Sequence, residues 1–315
     1  MTTALSTMWA QQDRFRGHMD AFARIAAAAG YTAIEPSHSA DPEALDALIE
    51  SGVLPLQSIH APAPHERDAR GRWNGDLNLA ATDEEERKAA IAATCKTIDY
   101  AQRSGAEAIV VHLGGCGRNL LDGERRLRSL YQSGTRGGEQ FARLRSEAEQ
   151  ARAALAPAHL LQAQHSLEEL AAYAVQNGVA IGLENRLHYH EIPQVHEVST
   201  LLAPYPADLV GYWHDVGHAE VQDRLGLVDR ERWLAEHGAR TIGAHLHDVA
   251  GILDHRAPGE GDVEWGYIAD GLPAAALRTF EINQHTPEPL LASGLRLLVG
   301  RGVVLEPVTV PVSPS

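Results

Sequence analysis

Short apolar segments alternate with longer amphipathic segments along the whole chain, and this alternation restricts the possible folds more than any other feature. We predict eight strands, at Thr3–Trp9, Thr32–Pro36, Leu56–His60, Ala106–His112, Val179–Glu184, Leu209–Asp215, Thr241–His245 and Leu277–Ile282. Eight strand–helix units indicate the α/β class and one (β/α)8 TIM-barrel domain over residues 1–315. The alternative, an open doubly wound sheet, would normally carry a glycine-rich phosphate loop after its first strand, and the sequence has none there.

The predicted helices fill the intervals between the strands. They lie at residues 13–29, 42–51, 83–104, 165–177, 193–203, 230–237, 264–271 and 287–300. Residues 117–160, after the fourth strand, carry two further charged helical patterns and form a predicted helical insertion. Because the loops that follow the strands of a barrel lie on its catalytic face, we expect the insertion there. It could serve as a lid or as the contact of a homo-oligomer.

The predicted strands end in similar chemistry. In six segments a run of small or β-branched apolar residues ends at an acidic residue or a histidine. The segments are QSIHAP, IVVHLG, IGLENR, YWHDVGH, IGAHLHD and TFEIN. Side chains alternate between the two faces of a strand, and counting back two residues from Glu184 or His245 reaches a glycine. The polar ends therefore lie on the inward face above small residues, while most bulky residues face the helices. Trp213 departs from this pattern because it shares the parity of Asp215.

These strand ends predict a metal site. Carboxylates and imidazoles that converge on one barrel mouth would repel one another or lack partners without a cation. Carboxylate and imidazole are ligands of Mn, Zn, Fe and Co, and the carboxyl ends of the strands are where barrel enzymes build their active sites. We therefore expect a divalent metal cofactor at this face.

Composition argues against several other classes of protein. The net charge of -15 disfavours a nucleic-acid partner, since phosphate backbones are bound mainly by Lys and Arg. Lys88 and Lys96 both fall in the third predicted helix, away from the strand ends, which disfavours Schiff-base chemistry. The sequence shows neither a membrane-spanning apolar run nor a signal-peptide pattern, and with two cysteines it gives no disulfide framework. We expect a cytoplasmic protein with no membrane partner.

The motifs also carry a family resemblance. The series HAP, VVHLGG, GLEN, HDVGH, HLHD, DHRAPGEGDVEW and FEIN resembles the xylose isomerase-like TIM-barrel superfamily along nearly the whole chain. That superfamily includes sugar phosphate isomerases and epimerases, and the type IV AP endonucleases of AP endonuclease family 2. The resemblance implies that one metal ion is held by Glu184, Asp215, His245 and Glu281. It also implies that Glu184 and Glu281 act as catalytic residues, moving a proton on and off a carbon beside a carbonyl.

The endonuclease branch implies further ligands. By that resemblance His60 and His112 would join Glu184 at a second metal, and His218 would join the Asp254–His255 region at a third. The sequence departs from the branch here, because the endonucleases have Asp-x-His where Asp254 is followed directly by His255. Two adjacent side chains would need a bent loop to share one site. The same histidines could instead contact substrate hydroxyls.

The resemblance favours a metal-dependent sugar or polyol isomerase or epimerase with a small carbohydrate substrate. Two alternatives remain open. One is a phosphodiester hydrolase of the type IV AP endonuclease kind with two or three metals, and the other is a lyase similar to inosose dehydratase. We expect Arg186, Arg256 and His247 to contact substrate.

Overall fold

A computed structural model describes residues 2–305 of the chain. Its strands are β1 (Thr3–Ser6), β2 (Ala33–Glu35), β3 (Ser58–His60), β4 (Ala108–Val111), β5 (Ala180–Glu184), β6 (Val210–Asp215), β7 (Thr241–Leu246), β8 (Asp248–Ala250), β9 (Leu253–Arg256) and β10 (Leu277–Phe280). The strands β8 and β9 pair as an antiparallel hairpin. The other eight form one parallel sheet in the order β2-β1-β10-β7-β6-β5-β4-β3.

Helices follow the barrel strands. They are α1 (Met19–Ala29), α2 (Pro42–Ser51), α3 (Glu84–Ser104), α4 (Asp122–Gln132), α5 (Glu139–Asn177), α6 (Val195–Leu202), α7 (Val216–Arg224), α8 (Glu231–His237), α9 (Trp265–Gly271) and α10 (Pro289–Gly300). Short 3-10 helices lie at Asp13–Phe15, Asn74–Asp76 and Gly238–Arg240. Within residues 2–305, no helix is both long enough and apolar enough to cross a membrane.

The sheet closes between β2 and β3. A parallel bridge joins Ile34 to Leu56, and the backbone N–H of His60 donates to the carbonyl oxygen of Pro36 at 2.9 Å. Every strand of the sheet runs parallel to its neighbours, so all eight carboxyl ends meet at one face. The predicted (β/α)8 TIM barrel is confirmed.

The barrel interior explains the unusual parity of Trp213. Its indole is fully buried and packs with Ala108 and Val110 in a small inner core, separate from the larger core between strands and helices. Gly182 and Gly243 leave room for the ring, since a methyl group added at Gly182 would lie 2.7 Å from it. The inward small residues thus make space for one large ring, which forms the floor of the mouth.

Some predicted helix boundaries were wrong. The helix predicted at 165–177 is the end of α5, which runs unbroken for 39 residues from the insertion. Pro157 lies inside it and removes one backbone hydrogen bond, but buried residues on both sides of the proline, such as Ala156 and Ala163, anchor the helix by packing. The pattern predicted at 13–29 begins as an α-helix only at Met19. Helix α7 and the β8–β9 hairpin were not predicted.

The insertion helices are fixed to the loop that follows β5. The carboxylate of Glu124, on α4, is buried and accepts a hydrogen bond from the backbone N–H of Tyr189 at 2.9 Å. Arg152, on α5, donates two hydrogen bonds to Glu197 at 2.8 and 2.7 Å. Because both groups are buried, the insertion packs firmly against one side of the barrel mouth.

The tight fit around Trp213 predicts the effect of a single methyl group. In Gly243→Ala the new methyl would overlap the indole, whereas Gly266, in α9, has open space around its Cα. We expect Gly243→Ala to lower the free energy of unfolding by about 1–3 kcal/mol, the range for overpacked cores. The control Gly266→Ala should be neutral or slightly stabilising. Chemical denaturation measures both, and equal stability of the two variants would contradict this packing.

Candidate metal centre and active site

Four side chains meet at the carboxyl ends of β5, β6, β7 and β10. Glu184, Asp215, His245 and Glu281 are each no more than 1% exposed, and one candidate ligand atom from each lies within 4.8 Å of the others. The Nδ1 atom of His245 is 3.1 Å from Glu184 Oε1, 3.2 Å from Glu281 Oε2 and 3.6 Å from Asp215 Oδ2. Three carboxylates therefore surround one imidazole nitrogen.

Asn185 aligns the ends of β5 and β6. Its Oδ1 accepts from the backbone N–H of Asp215 at 2.7 Å, and its Nδ2 donates to the carbonyl oxygen of Asp215 at 2.9 Å. The hydroxyl of Tyr212 also donates to Oδ1 of Asn185, at 2.7 Å. Oδ1 of Asp215 accepts from the backbone N–H of His218, which caps α7. The Asn after Glu184 in the GLEN motif thus holds Asp215 beside Glu184.

Glu35, at the end of β2, is a functional residue that sequence analysis missed. It is fully buried, and its Oε1 lies 2.8 Å from Nε2 of His245, the ring nitrogen that faces away from the carboxylate cluster. Its other oxygen accepts hydrogen bonds from Ser58 and Thr279. Glu35 therefore orients the His245 ring, as carboxylates behind metal-binding histidines do. The segment AIEP closes on an acid like the other strand ends, and that signal could have identified it.

His60 and His112 form a second group with Glu184. Their Nε2 atoms are 2.6 Å apart, and Nε2 of His112 is also 2.6 Å from Oε2 of Glu184. The guanidinium of Arg186 enters the same group, with Nη1 at 3.0 Å from Oε2 of Glu184. The structure thus brings together the three residues expected at a second metal and adds an arginine.

His218, Asp254 and His255 form a third group, with candidate ligand atoms within 4.8 Å of one another. Asp254 and His255 are adjacent, so the backbone must bend for both side chains to reach one site. That bend is present, because His255 has a left-handed backbone with φ of 54°. Its N–H donates to Nδ1 of His247 at 2.8 Å, and its carbonyl oxygen accepts from Asn283. These bonds hold the bent backbone in place.

The remaining residues expected at the substrate lie on the same side of the mouth. His247 donates from Nε2 to Asp215, with both carboxylate oxygens at 3.1 Å, and its ring stacks on His255 at 4.3 Å between centroids. Arg256 ends β9, opposite Asp248 in the hairpin. Asp248 accepts three backbone N–H bonds, from residues 249, 259 and 263, and so shapes the loop beyond the hairpin.

Attraction between the carboxylates and the cationic groups beside them keeps the buried side chains of the site ionised. Burial alone would raise the pKa of Glu184, but His112 and Arg186 hold that pKa well below its usual range. Burial alone would also raise the pKa of Glu281, but His245 holds the pKa of Glu281 well below the usual range. The pKa of His245 is raised well above normal because Glu281 and the other carboxylates outweigh burial. The cluster thus holds carboxylates that attract positive charge.

A cavity of about 300 Å³ opens beside the second group. His38, on the loop after β2, reaches this cavity and was also missed by sequence analysis. Its Nδ1 is buried and has no hydrogen-bond partner within residues 2–305, and burial together with His60 lowers its pKa to about 4. The polar residues that line the cavity are His38, Asn74, Thr94, His112, Arg186 and Glu191. Its volume is at the lower end of the range for small-molecule sites.

Solved structures of similar fold include sugar epimerases. The D-allulose 3-epimerase from Methylomonas sp., in complex with D-allulose, is 16% identical with a TM-score of 0.65, over 96% of this chain and 97% of that chain. The IOLI protein with a bound zinc atom is 13% identical with a TM-score of 0.62, over 96% and 98% of the two chains. At these identities the similarity shows the fold.

Two sequence comparisons agree with the fold. The uncharacterised protein y4fM of Sinorhizobium fredii is 29% identical over 125 residues, so the match spans 39% of this chain and only 38% of that protein's length. The sequence model of the family described as "Xylose isomerase-like TIM barrel" matches residues 23–298, a range that includes every residue of the three groups. The chain belongs to the xylose isomerase-like TIM-barrel family.

Proposed function

We propose that the protein is a divalent-metal-dependent isomerase or epimerase of a sugar or polyol, which moves a proton at a carbon beside a carbonyl. The observation that carries the proposal is the pair of buried, ionised glutamates, Glu184 and Glu281, on two sides of one imidazole nitrogen. The fold is shared with sugar epimerases, and the adjoining cavity suits a small substrate.

The side chains fit a divalent ion. Three buried carboxylates and one imidazole are a donor set suited to Mn, Zn, Fe or Co. Oε1 of Glu281 is buried without a hydrogen-bond partner in residues 2–305, which leaves donor capacity at the centre. We propose Glu184, Asp215, His245 and Glu281 as the ligands. When bound, the ion would supply positive charge that polarises the oxygens of a carbonyl substrate.

The two glutamates would act as the proton-transfer pair. Their pKa values lie well below the usual range, which keeps both in the ionised form that a base needs but makes each a weaker proton acceptor. Arg186 and His112 hold Glu184 from one side, and His60 and His255 lie within 3.5 Å of Glu281. In an epimerisation one glutamate, ionised, would remove a proton from one face of the carbon, and the other, having taken up a proton from solvent, would donate it to the opposite face.

Histidines around the cavity would bind the hydroxyls of the substrate. Nδ1 of His38, which lines the cavity, is buried and lacks a hydrogen-bond partner in the described chain, so it can pair with a hydroxyl group. Nδ1 of His60 lacks a hydrogen-bond partner as well but lies 3.5 Å from Oε1 of Glu281.

His218 and Arg256 lie on the hairpin side of the mouth and would contact the other end of the substrate. His247 is fully buried, and its two ring nitrogens already pair with Asp215 and with the backbone N–H of His255, so it would support the site from behind. A cytoplasmic location fits the two cysteines, which are both free.

A phosphodiester hydrolase is the second candidate. The observation that favours it is that further groups of candidate ligands adjoin the first, among them His60–His112–Glu184 and His218–Asp254–His255. Two-metal hydrolases hold their ions about 3.5–4 Å apart, and Glu184 is shared by two of the groups. A lyase acting on an inosose-like ketone would use the same proton-transfer pair.

Removal of single ligands tests the metal centre. We expect Glu184→Gln and Asp215→Asn to lose most bound metal, since each removes a charged oxygen that faces the other ligands. Metal content is measured by elemental analysis of folded protein, with exposed Asp208→Asn as the control. Full occupancy in both folded site variants would show that the ion, if any, binds elsewhere.

Glu35 provides a separate test because it would act through His245. In Glu35→Gln the carboxylate behind the imidazole is lost, and we expect metal affinity to fall by about 10–100-fold, the usual cost for such partners. Competition with a chelator measures the affinity, and Glu50→Gln, exposed on α2, is the matched control. An unchanged affinity would contradict the orienting role of Glu35.

Isotope exchange tests the reaction. Incubation in deuterated water with the right ketose or aldose should place deuterium beside the carbonyl, and Glu281→Gln should slow this by about 10²–10⁴-fold. The panel covers free ketohexoses, ketopentoses, inosose-like ketones and their phosphates, and the surface variant Glu288→Gln is the control. No exchange across the panel, with metal-dependent cleavage of an abasic-site oligonucleotide, would favour the hydrolase.

A further inference from the structure

The guanidinium of Arg186 lies where the second group of candidate ligands converges. Its Nη1 is 2.5 Å from Nε2 of His112 and 3.0 Å from Oε2 of Glu184. These two atoms belong to the His60–His112–Glu184 group, which could otherwise hold a metal ion. In the tautomer that carries its proton on Nδ1, Nε2 of His112 accepts from Nη1, and its single lone pair is then not available to a metal; the other hydrogen of Nη1 is donated to Glu184.

Arg186 is held in this position from behind. Its Nε donates to Oε1 of Glu191 at 3.2 Å, and its backbone carbonyl oxygen accepts from Gln222 at 2.6 Å. The second oxygen of Glu191 accepts from the backbone N–H of His188. The side chain of Arg186 is only 13% exposed, so it has little freedom to leave the group. Arginine suits this position because its planar guanidinium can donate from Nε to Glu191 and from Nη1 to the second group, and it is always charged.

We propose that Arg186 is a built-in cation that takes the place of a second metal ion beside Glu184. Its charge balances Glu184, while a divalent ion bound to His60 and His112 would meet a like charge at hydrogen-bond distance. With no second metal, His60 and the cavity side of the site are available to contact the substrate. This inference rests on the proposed metal centre and deepens it, because it limits this side of the site to one-metal chemistry.

Anomalous diffraction tests the inference at the position of each ion. Crystals of the wild-type protein grown with excess Zn²⁺ or Mn²⁺ should show a peak among Glu184, Asp215, His245 and Glu281, and none between His60 and His112. In Arg186→Met, a peak should appear between His60 and His112. Elemental analysis should then find one more ion per chain than in the wild type. Arg256→Met, which removes an arginine at the hairpin side of the mouth, should gain none.

The double variant Arg186→Met/His112→Ala checks the location, since it should lose the additional ion. A wild-type peak between His60 and His112, or a folded Arg186→Met protein that gains no ion there, would overturn the inference. The wild-type crystals decide the first point even if the variant fails to fold. Absence of any ion at Glu184, Asp215, His245 and Glu281 would contradict the proposed centre instead. A new ion in Arg186→Met would still support the role of Arg186 in that case.

Discussion

The structure depends on a concentration of buried negative charge around one imidazole nitrogen. Glu184, Asp215 and Glu281 all lie within 3.6 Å of Nδ1 of His245, in a part of the barrel closed to water. Two like charges about 4 Å apart repel by about 4 kcal/mol at an effective dielectric constant of 20. Such an arrangement is stable only with positive charge among the carboxylates. His245, whose pKa is raised by the carboxylates, and Arg186 supply part of that charge, and the proposed ion would supply the rest.

The strands, the interior packing and the hydrogen bonds of the barrel all help to hold this cluster in place. Parallel strands bring the charged ends to one face, and the inward small residues admit the Trp213 ring, which forms a floor 5.4 Å from the His245 ring. Glu35 then fixes the imidazole, and Asn185 fixes the neighbouring strand end. The ligand geometry therefore depends on residues that would not touch the metal. Side chains on rigid strand ends can be placed more closely than side chains on loops.

The fold, and the meeting of the polar strand ends at one face, could be predicted because both depend on local patterns, whereas the choice of four residues as ligands rested on the family resemblance. Strand–helix alternation indicates a barrel, and parity places Glu184 and His245 on the inward face without any knowledge of the tertiary contacts. Glu35 carried the same signal but lies one residue before the end of the predicted strand Thr32–Pro36, and it was overlooked. The predicted break before 165–177 was wrong because packing on both sides outweighs the local effect of Pro157. The left-handed backbone at His255 and the approach of Arg186 to His112 depend on contacts between distant segments, which no local pattern contains.

The central claim, that the cluster is built around a metal ion, is tested most directly by the metal content and stability of the native chain. Elemental analysis of protein purified without chelator should find at least one Mn, Fe, Co or Zn ion per chain. Removal of that ion should lower the midpoint of thermal unfolding, and its return should restore the midpoint, because a ligand of the folded state stabilises it by mass action. Protein that is folded and metal-free, with the same midpoint whether or not metal is added, would contradict the account.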